Sequence, residues 1–471
     1  MKLHSLALFN SFTLALFACG GGDDTPAVDS DTSELGAVSW RHCGALGDRD
    51  IRCAEIAVPI DHDDPNGETI EIAINRIAAD PSAPYRGVLF VNPGGPGGGG
   101  KDFALNLAAG GASDELAPGF DVVGFDPRGV ADSGERACGA PPAMRMAAED
   151  LQDVVTEAIV DGRRCANAWG PLFDHLGSKQ VVRDMEALRV ALGEAKLNFL
   201  GVSYGSRLGS LYAHMYPESA GAIVLDSAMT PDMDLLKDTR ESFAQLLVLQ
   251  GVFFQDCDAG VLDCPADARA LFDDLIADAT ALDRGGQMAE RWASALAYPW
   301  SREALPLLLE RQALETDPAW INDELSQPGI FDGIAEVANR TVTCIDATAE
   351  PPSIAEFTEL YYEFAEQSPL FAYRAYGALQ CTGWPVTRDP VPPPNAPTAP
   401  PLLVIGGTQD LLTPLSNAEQ MAAALGNATL LVSNHYGHGA LSNAQNRCVI
   451  DAVTNYFADG QLPPQGTICD L

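Results

Sequence analysis

The sequence predicts an α/β protein in which a mostly parallel sheet is flanked by helices and interrupted by an inserted helical cap. Residues 39–229 alternate apolar, strand-like runs with helical segments, which is typical of parallel strands covered on both faces. Residues 230–395 are helix-rich without clear strands, and strands return in residues 396–471 after a proline-rich stretch. We therefore expect a sheet domain made of residues 39–229 and 396–471, with residues 230–395 forming a cap over its functional site.

Individual elements follow from the apolar periodicity. Expected are a hairpin at residues 56–77, strands at 121–125, 197–202 and 429–433, and helices at 181–192 and 416–425. No internal repeat is apparent, so a repeat array is not expected.

The first 18 residues predict a secretory signal peptide. Lys2 precedes a mostly apolar stretch at residues 6–18, which is too short to span a bilayer. The stretch ends in Leu16-Phe17-Ala18-Cys19, which resembles a bacterial lipobox, whose cysteine is lipidated and becomes the first mature residue. Cleavage after Ala18 without lipidation is the alternative. Residues 19–38 are polar enough to form a flexible tether, so we expect a protein that is either secreted or anchored in the cell envelope through Cys19.

Composition limits the classes of function. The chain of 471 residues is 46% apolar, enough for a large core, and has no membrane-length apolar run after its N-terminus. Its formal charge of −37 argues against nucleic-acid binding, because neutralising phosphates takes lysine and arginine. We attribute this charge to solubility.

The cysteine content agrees with export. Eleven cysteines minus Cys19 leave ten, an even number that allows five disulfides. Because short loops close easily, we expect neighbours to pair in order, as Cys43–Cys53, Cys138–Cys165, Cys257–Cys264, Cys344–Cys381 and Cys448–Cys469. No Cys-x-x-Cys pair occurs, so we expect no metal, and nothing in the sequence indicates a cofactor.

The most informative segment is a Gly-x-Ser-x-Gly motif, Gly201-Val202-Ser203-Tyr204-Gly205, between an apolar run and a helix-compatible segment. It predicts a serine on a tight turn from strand to helix, where glycines remove side chains that would clash. Such a turn would expose the Ser203 hydroxyl at the start of a helix. Because the motif also occurs in plain loops, its catalytic interpretation depends on the rest of the chain.

A glycine-rich loop at residues 93–100 follows a second strand-like run. Its unobstructed N–H groups suit an oxyanion hole, which needs one donor from an early loop and one from the residue after the nucleophile. We assign these donors to the backbone N–H groups of Gly95 and Tyr204. A phosphate-binding loop is the alternative, but the Gly-Lys-Ser/Thr ending is missing.

The remaining members of a catalytic triad are expected near the C-terminus. Asp410 ends a strand-like run, and His438 follows 28 residues later between two glycines. The order Ser203, Asp410, His438 gives a base that takes the serine proton and an acid that orients it. Two alternatives remain open, His435 as the base and Asp226 as the acid, the latter after another strand-like run.

Several motifs occur together over residues 43–469. They are Asn92-Pro93-Gly94-Gly95-Pro96-Gly97, Asp126-Pro127-Arg128-Gly129, the Ser203 motif, Asp410 with Thr413-Pro414, and Gly437-His438-Gly439. Together they resemble the secreted tripeptidyl-aminopeptidase branch of the prolyl-aminopeptidase-type α/β-hydrolases, which are serine peptidases. Gly99 stands where this family often has serine, and Ser206 where it often has threonine.

The resemblance implies the α/β-hydrolase fold and an exopeptidase that releases short peptides, tripeptides in the family, from free N-termini. A cap acid would then bind the substrate ammonium, and Asp346 is a candidate, with a packing role as the alternative. Because a fold and a triad do not name the leaving group, a carboxylesterase is a second candidate function. A binding protein without catalysis is a third, and it would require an impaired triad.

Overall fold

The computed structural model describes residues 38–139, 151–327, 335–442 and 446–470. The signal peptide, Cys19 and most of the tether predicted from the sequence lie outside these ranges. Ten strands occur in the described part of the chain: β1 (Arg41–Leu46), β2 (Arg49–Pro59), β3 (Thr69–Ile77), β4 (Gly87–Asn92), β5 (Phe120–Phe125), β6 (Leu197–Val202), β7 (Ala220–Asp226), β8 (Leu402–Gln409), β9 (Ala428–Tyr436) and β10 (Thr467–Asp470).

These strands form one sheet in the order β1-β2-β3-β5-β4-β6-β7-β8-β9-β10. The pairs β1–β2, β2–β3 and β3–β5 are antiparallel. All other neighbours are parallel. The predicted hairpin is confirmed as β2 and β3, and the parallel part is the sheet that the sequence predicted. Strand β1 was missed because it is an exposed edge strand with little apolar alternation.

Helices cover both faces of the sheet. Those outside the insertion are α1 (Gly100–Ala109), α2 (Ala112–Leu116), α3 (Leu151–Trp169), α4 (Ser178–Ala191) and α5 (Tyr204–Met215), and near the C-terminus α14 (Leu415–Leu425) and α15 (Arg447–Asp459). Strand β4 illustrates the packing: Val88 and Phe90 belong to one buried cluster, and Leu89 and Val91 to another. Because successive side chains point to opposite faces, the sheet is buried on both sides, as parallel sheets are.

The insertion between β7 and β8 is helical wherever it has regular structure in the described residues. It contains α6 (Leu235–Asp258), α7 (Ala268–Ala281), α8 (Gly285–Ala295), α9 (Pro299–Arg302), α10 (Leu305–Leu314), α11 (Trp320–Leu325), α12 (Glu336–Asp346), α13 (Ile354–Gln367) and a 3-10 segment, Pro369–Leu379. Local signals start two of these helices: the Asp234 side chain caps α6, and Ser353 with Glu356 forms a capping box on α13.

Most of the insertion packs on itself. Phe243 of α6 stacks on Phe364 of α13 with ring centroids 3.7 Å apart, and Trp292 of α8 meets Phe253 edge to face. These rings belong to a third buried cluster, separate from the two that cover the sheet. Helix α12 is the exception, since Ala338, Val342 and Ile345 pack in a sheet cluster instead.

All ten cysteines other than Cys19 are paired, and the pairs are those predicted. They are Cys43–Cys53, Cys138–Cys165, Cys257–Cys264, Cys344–Cys381 and Cys448–Cys469. Among the described residues, no helix is long and apolar enough to cross a membrane.

Candidate active site

Ser203 lies on the turn between β6 and α5, with φ 57° and ψ −122°. A non-glycine residue rarely adopts this backbone conformation, and strain of this kind concentrates at functional sites. The neighbouring glycines are required by close packing. A Cβ on Gly201 would lie 2.3 Å from the Gly205 carbonyl oxygen, and one on Gly205 would lie 2.7 Å from the Asn92 carbonyl oxygen. The Gly-x-Ser-x-Gly pattern therefore follows from the crowding of β4, β6 and α5.

Asp410 and His438 form a buried pair. Asp410 directly follows β8, and its carboxylate accepts a hydrogen bond from His438 Nδ1 at 2.9 Å. Three further donors hold the carboxylate: the backbone N–H groups of Leu412 and Thr413, both at 2.9 Å, and the Thr413 hydroxyl at 2.8 Å. These donors hold the Asp410 carboxylate in place, and the carboxylate in turn orients the imidazole of His438.

Asp410 and His438 shift each other's pKa values. Burial alone would raise the pKa of Asp410, but the charge and hydrogen bond of His438, together with hydrogen bonds from Thr413 and Ser227, lower that pKa. Burial would lower the pKa of His438, but the charge and hydrogen bond of Asp410, with a smaller contribution from Asp226, raise it. The imidazolium that forms when a serine proton is transferred is therefore stabilised.

Asp226 holds both sides of the site in place. Its backbone oxygen accepts a hydrogen bond from the Ser203 N–H at 2.9 Å. Its carboxylate accepts from the N–H groups of Ala440 and Leu441, both at 3.0 Å, just after His438. Burial raises the pKa of Asp226, despite these two N–H bonds. The structure thus gives Asp226 backbone partners, whereas the histidine partner belongs to Asp410.

His435, the alternative base, lies within β9 and is buried against Gly407. A Cβ on Gly407 would be 2.6 Å from the His435 ring. In the described part of the chain, neither ring nitrogen of His435 has a hydrogen-bond partner. His435 therefore lacks the acid contact that His438 has.

The glycine-rich loop lies against the serine turn. A Cβ on Gly94 would be 2.9 Å from both the Ser203 Cβ and the Tyr204 backbone nitrogen, so only glycine permits this approach. Gly94 and Gly95 have φ values of 100° and 111°. Within the described residues, the N–H groups of Gly95 and Tyr204 donate no hydrogen bond, which leaves both available as the predicted oxyanion donors.

Asp346 does not meet the expectation that it faces a substrate. It is fully buried at the end of α12, where its carboxylate accepts hydrogen bonds from the Ser178 N–H at 2.9 Å and from the Ser178 hydroxyl. Arg207 Nε lies 3.8 Å from the same carboxylate. Because these core partners surround the group, the packing alternative describes Asp346, and the structure does not support the predicted role of Asp346 in binding an ammonium group.

A cavity of about 630 Å³ lies between the cap and the sheet domain. Two of its lining residues connect it to the site: Asn339, whose side chain donates to the Pro96 carbonyl at 2.8 Å, and Leu412, which donates its N–H to Asp410. Asp238 also lines it, and burial, followed by repulsion from Glu241, raises the pKa of Asp238 to about 7. Neither Asn339 nor Asp238 was predicted from the sequence, because a polar residue on a helix does not indicate which way its side chain faces.

Comparisons with known proteins agree with this geometry. Residues 87–261 match the family model described as alpha/beta hydrolase fold, and residues 368–469 match the one described as TAP-like protein. The tripeptidyl aminopeptidase of Streptomyces lividans is 26% identical, covering 94% of this chain and 88% of that protein. Serine protease Hip1 of Mycobacterium tuberculosis is 28% identical over 88% of this chain and 87% of its own length. Carboxylesterase B of the same organism is 29% identical over 92% and 89%.

The two family models cover most of the sheet domain and part of the insertion. One begins at β4 and ends just after α6, and the other begins just after α13 and ends within β10. Between them they include the serine turn, Asp410 and His438. The chain belongs to the TAP-like branch of the α/β hydrolases and is a serine hydrolase.

Proposed function

We propose that this protein is an exported serine aminopeptidase that releases tripeptides from free N-termini. The observation that carries the proposal is the cavity beneath the cap, which adjoins the glycine-rich loop through Asn339 and contains a carboxylate, Asp238. Its volume of about 630 Å³ is within the range of small-ligand sites, roughly 300–1,000 Å³. The similarity to a tripeptidyl aminopeptidase supports the same substrate class.

In the proposed reaction, Ser203 attacks the scissile carbonyl while His438 Nε2 takes its proton. The N–H groups of Gly95 and Tyr204 donate to the oxyanion. His438 then protonates the leaving amine, and the peptide stays on Ser203 as an ester. Water, activated by His438, hydrolyses that ester and frees the short peptide. Asp410 remains ionised throughout and stabilises the charged imidazole.

Asp238 replaces Asp346 as the proposed partner of the substrate ammonium. Its Oδ1 is buried, with no hydrogen-bond partner among the described residues. The cavity also holds two arginines, but both have partners: Arg374 contacts Glu290 at 3.0 Å, and Arg340 lies over the Trp384 ring at 4.2 Å. Asp238 thus offers the cavity a buried oxygen that a cationic chain end would satisfy.

Two measurements test this function. A fluorophosphonate probe should label the wild type on Ser203, and labelling that persisted in Ser203→Ala would remove the serine from the mechanism. Acetylating a tripeptide amide should lower kcat/KM by roughly 30-fold or more, the equivalent of about 2 kcal/mol for a lost charged partner. Equal rates on free and acetylated peptides would exclude an aminopeptidase.

Asp238→Asn should abolish most of the difference in kcat/KM between the free and the acetylated peptide, because it weakens binding of the free peptide alone. Asp274→Asn, which changes an exposed acid on cap helix α7, is the matched control and should keep the discrimination. If both variants discriminate like the wild type, the ammonium binds elsewhere.

A carboxylesterase is the second candidate, because Carboxylesterase B is about as similar to this chain as the peptidases are. Fast turnover of simple esters with no peptide cleavage would establish it. Anchoring through a lipid on Cys19 is a further part of the proposal. Cys19→Ala should move the protein from the membrane fraction to the soluble fraction, and an unchanged distribution would refute the anchor.

A further inference from the structure

Helix α12 connects the two sides of the proposed oxyanion hole. In sequence it belongs to the insertion, yet it packs with the helices of the sheet domain. The Cys344–Cys381 disulfide fixes it near its C-terminus. Its eleven residues span roughly 16 Å, at about 1.5 Å per residue.

The N-terminal end of α12 holds the glycine-rich loop. The Ala335 N–H donates to the Gly97 carbonyl at 3.0 Å, and the Asn339 side chain donates to the Pro96 carbonyl at 2.8 Å. Glycines in this loop have no side chains to restrain them, so hydrogen bonds from outside the loop help to set its position. Asn339 therefore holds the Pro96–Gly97 peptide unit, which follows closely after the Gly95 N–H, one proposed oxyanion donor.

The C-terminal end of α12 holds the other donor. Asp346 accepts two hydrogen bonds from Ser178, and the Ser178 hydroxyl lies 2.7 Å from the Tyr204 hydroxyl. Ser178, Tyr204 and Asp346 are all buried, where hydrogen bonds are strong and missing partners are costly. The side chain of Tyr204 is thereby fixed, and with it the backbone N–H of that residue.

We propose that α12 is a positioning element of the oxyanion hole, with Asn339 setting the glycine-rich loop and Asp346 setting Tyr204 through Ser178. Both donors must meet the same oxygen in the transition state, and a displacement of about 1 Å can cost 100-fold in rate. The inference rests on the proposed acyl-enzyme chemistry at Ser203 but not on peptide specificity.

The test compares Asn339→Leu with the wild type on p-nitrophenyl acetate and on a free tripeptide p-nitroanilide. Because the acetate ester is too small to depend on the cavity, a residue that only lined the cavity would leave its hydrolysis unchanged. We expect kcat to fall about 10-fold on both substrates, less than the roughly 100-fold or more for deleting an oxyanion donor. Binding of a tripeptide aldehyde, whose adduct carries the oxyanion, should weaken by the same factor.

Asn427→Leu is the matched control. It removes a comparable hydrogen bond, from the Asn427 side chain to the Ala399 carbonyl at 2.6 Å, at a position outside the site. This variant should lower Tm without changing kcat. Equal falls in kcat for Asn339→Leu and Asn427→Leu would overturn the proposal, because they would indicate general destabilisation.

Tyr204→Phe tests the second anchor without touching the backbone donor or the cavity wall. We expect kcat to fall several-fold on both substrates, with KM for the peptide unchanged. Wild-type kcat in this variant and in Asn339→Leu would refute the positioning role while Ser203 labelling still supported the proposed function. Loss of wild-type labelling at Ser203 would instead overturn the proposed function, and this inference with it.

Discussion

Two aspartates end adjacent parallel strands, Asp226 at the end of β7 and Asp410 directly after β8, and both are fully buried. They differ in their partners. Asp226 accepts hydrogen bonds from two backbone N–H groups. Asp410 accepts one from the imidazole of His438 and others from backbone amides and a hydroxyl. Their pKa values accordingly shift in opposite directions, with that of Asp226 raised and that of Asp410 lowered. Burial at a strand end therefore does not define a catalytic acid; a histidine partner does.

The largest difference in activity is expected between variants of the two histidines, His438 and His435. His438→Ala should reduce kcat on the order of 10⁴-fold or more, as expected when one member of a cooperating triad is removed. His435→Ala should keep most activity, although its Tm should fall because a buried ring is lost. Steady-state kinetics on one ester decide the matter, and an inactive His435→Ala beside an active His438→Ala would reverse the assignment of the base.

Variants of the two aspartates, Asp410 and Asp226, should differ in kcat almost as much as the two histidine variants. Asp410→Asn should lower kcat by about 10⁴-fold, because the amide cannot stabilise the imidazolium and disturbs its tautomer. Asp226→Asn keeps an oxygen for one of the two backbone donors, so we expect a loss of at most roughly 10-fold. Should Asp226→Asn prove the more damaged variant, the acid would have to be moved to β7.

Loss of the Thr413 hydroxyl should have a smaller effect on kcat than loss of either triad residue. Thr413→Val removes the hydroxyl that donates to Asp410 and leaves a side chain of similar shape. We expect kcat to fall roughly fivefold, the equivalent of about 1 kcal/mol. Thr408→Val is the control, because it removes a solvent-exposed hydrogen bond from the Thr408 hydroxyl to Asn434. A wild-type rate for Thr413→Val would show that the two amide donors alone position Asp410.

The smallest expected effect is on pH dependence. His438 must be neutral to accept a proton, so activity is present above its pKa and is lost as pH falls through it. Since the pKa of His438 is raised from 6.5, the acid limb of kcat should have its midpoint above that value. Asp226→Asn removes a charge that contributes to the shift, so its limb should move to lower pH. Movement to higher pH would contradict the electrostatic role of Asp226.

Residues with a local sequence signature were predictable. Ser203, Asp410 and His438 each follow a strand-like run or lie between glycines, and the structure brings Asp410 and His438 together. Whether a side chain is buried, and which way it points, could not be predicted in the same way. Asp346 lies in the insertion by sequence, but its helix turns the carboxylate into the core, because α12 packs on the sheet domain.

Long-range contacts account for what the sequence could not provide. Asn339 reaches Pro96 across 243 positions of chain, and no periodicity in either segment records that contact. Strand β1 was missed for a different reason, since it lies exposed at the sheet edge and lacks an apolar face. Apolar periodicity therefore indicates which face of a helix or strand is buried. It does not indicate which distant segment of the chain packs against that face.

The loop that carries His438 is attached to the cap as well as to the sheet. The His438 N–H donates to the Ala297 carbonyl at 2.7 Å, and Gly437 lies so close to Pro299 that a Cβ there would be 2.4 Å from the proline ring. Lifting the cap at this edge would break that bond and displace the histidine, so we expect the cap to stay in contact with this loop in the active enzyme. A substrate would then have to enter the site at another edge of the cap.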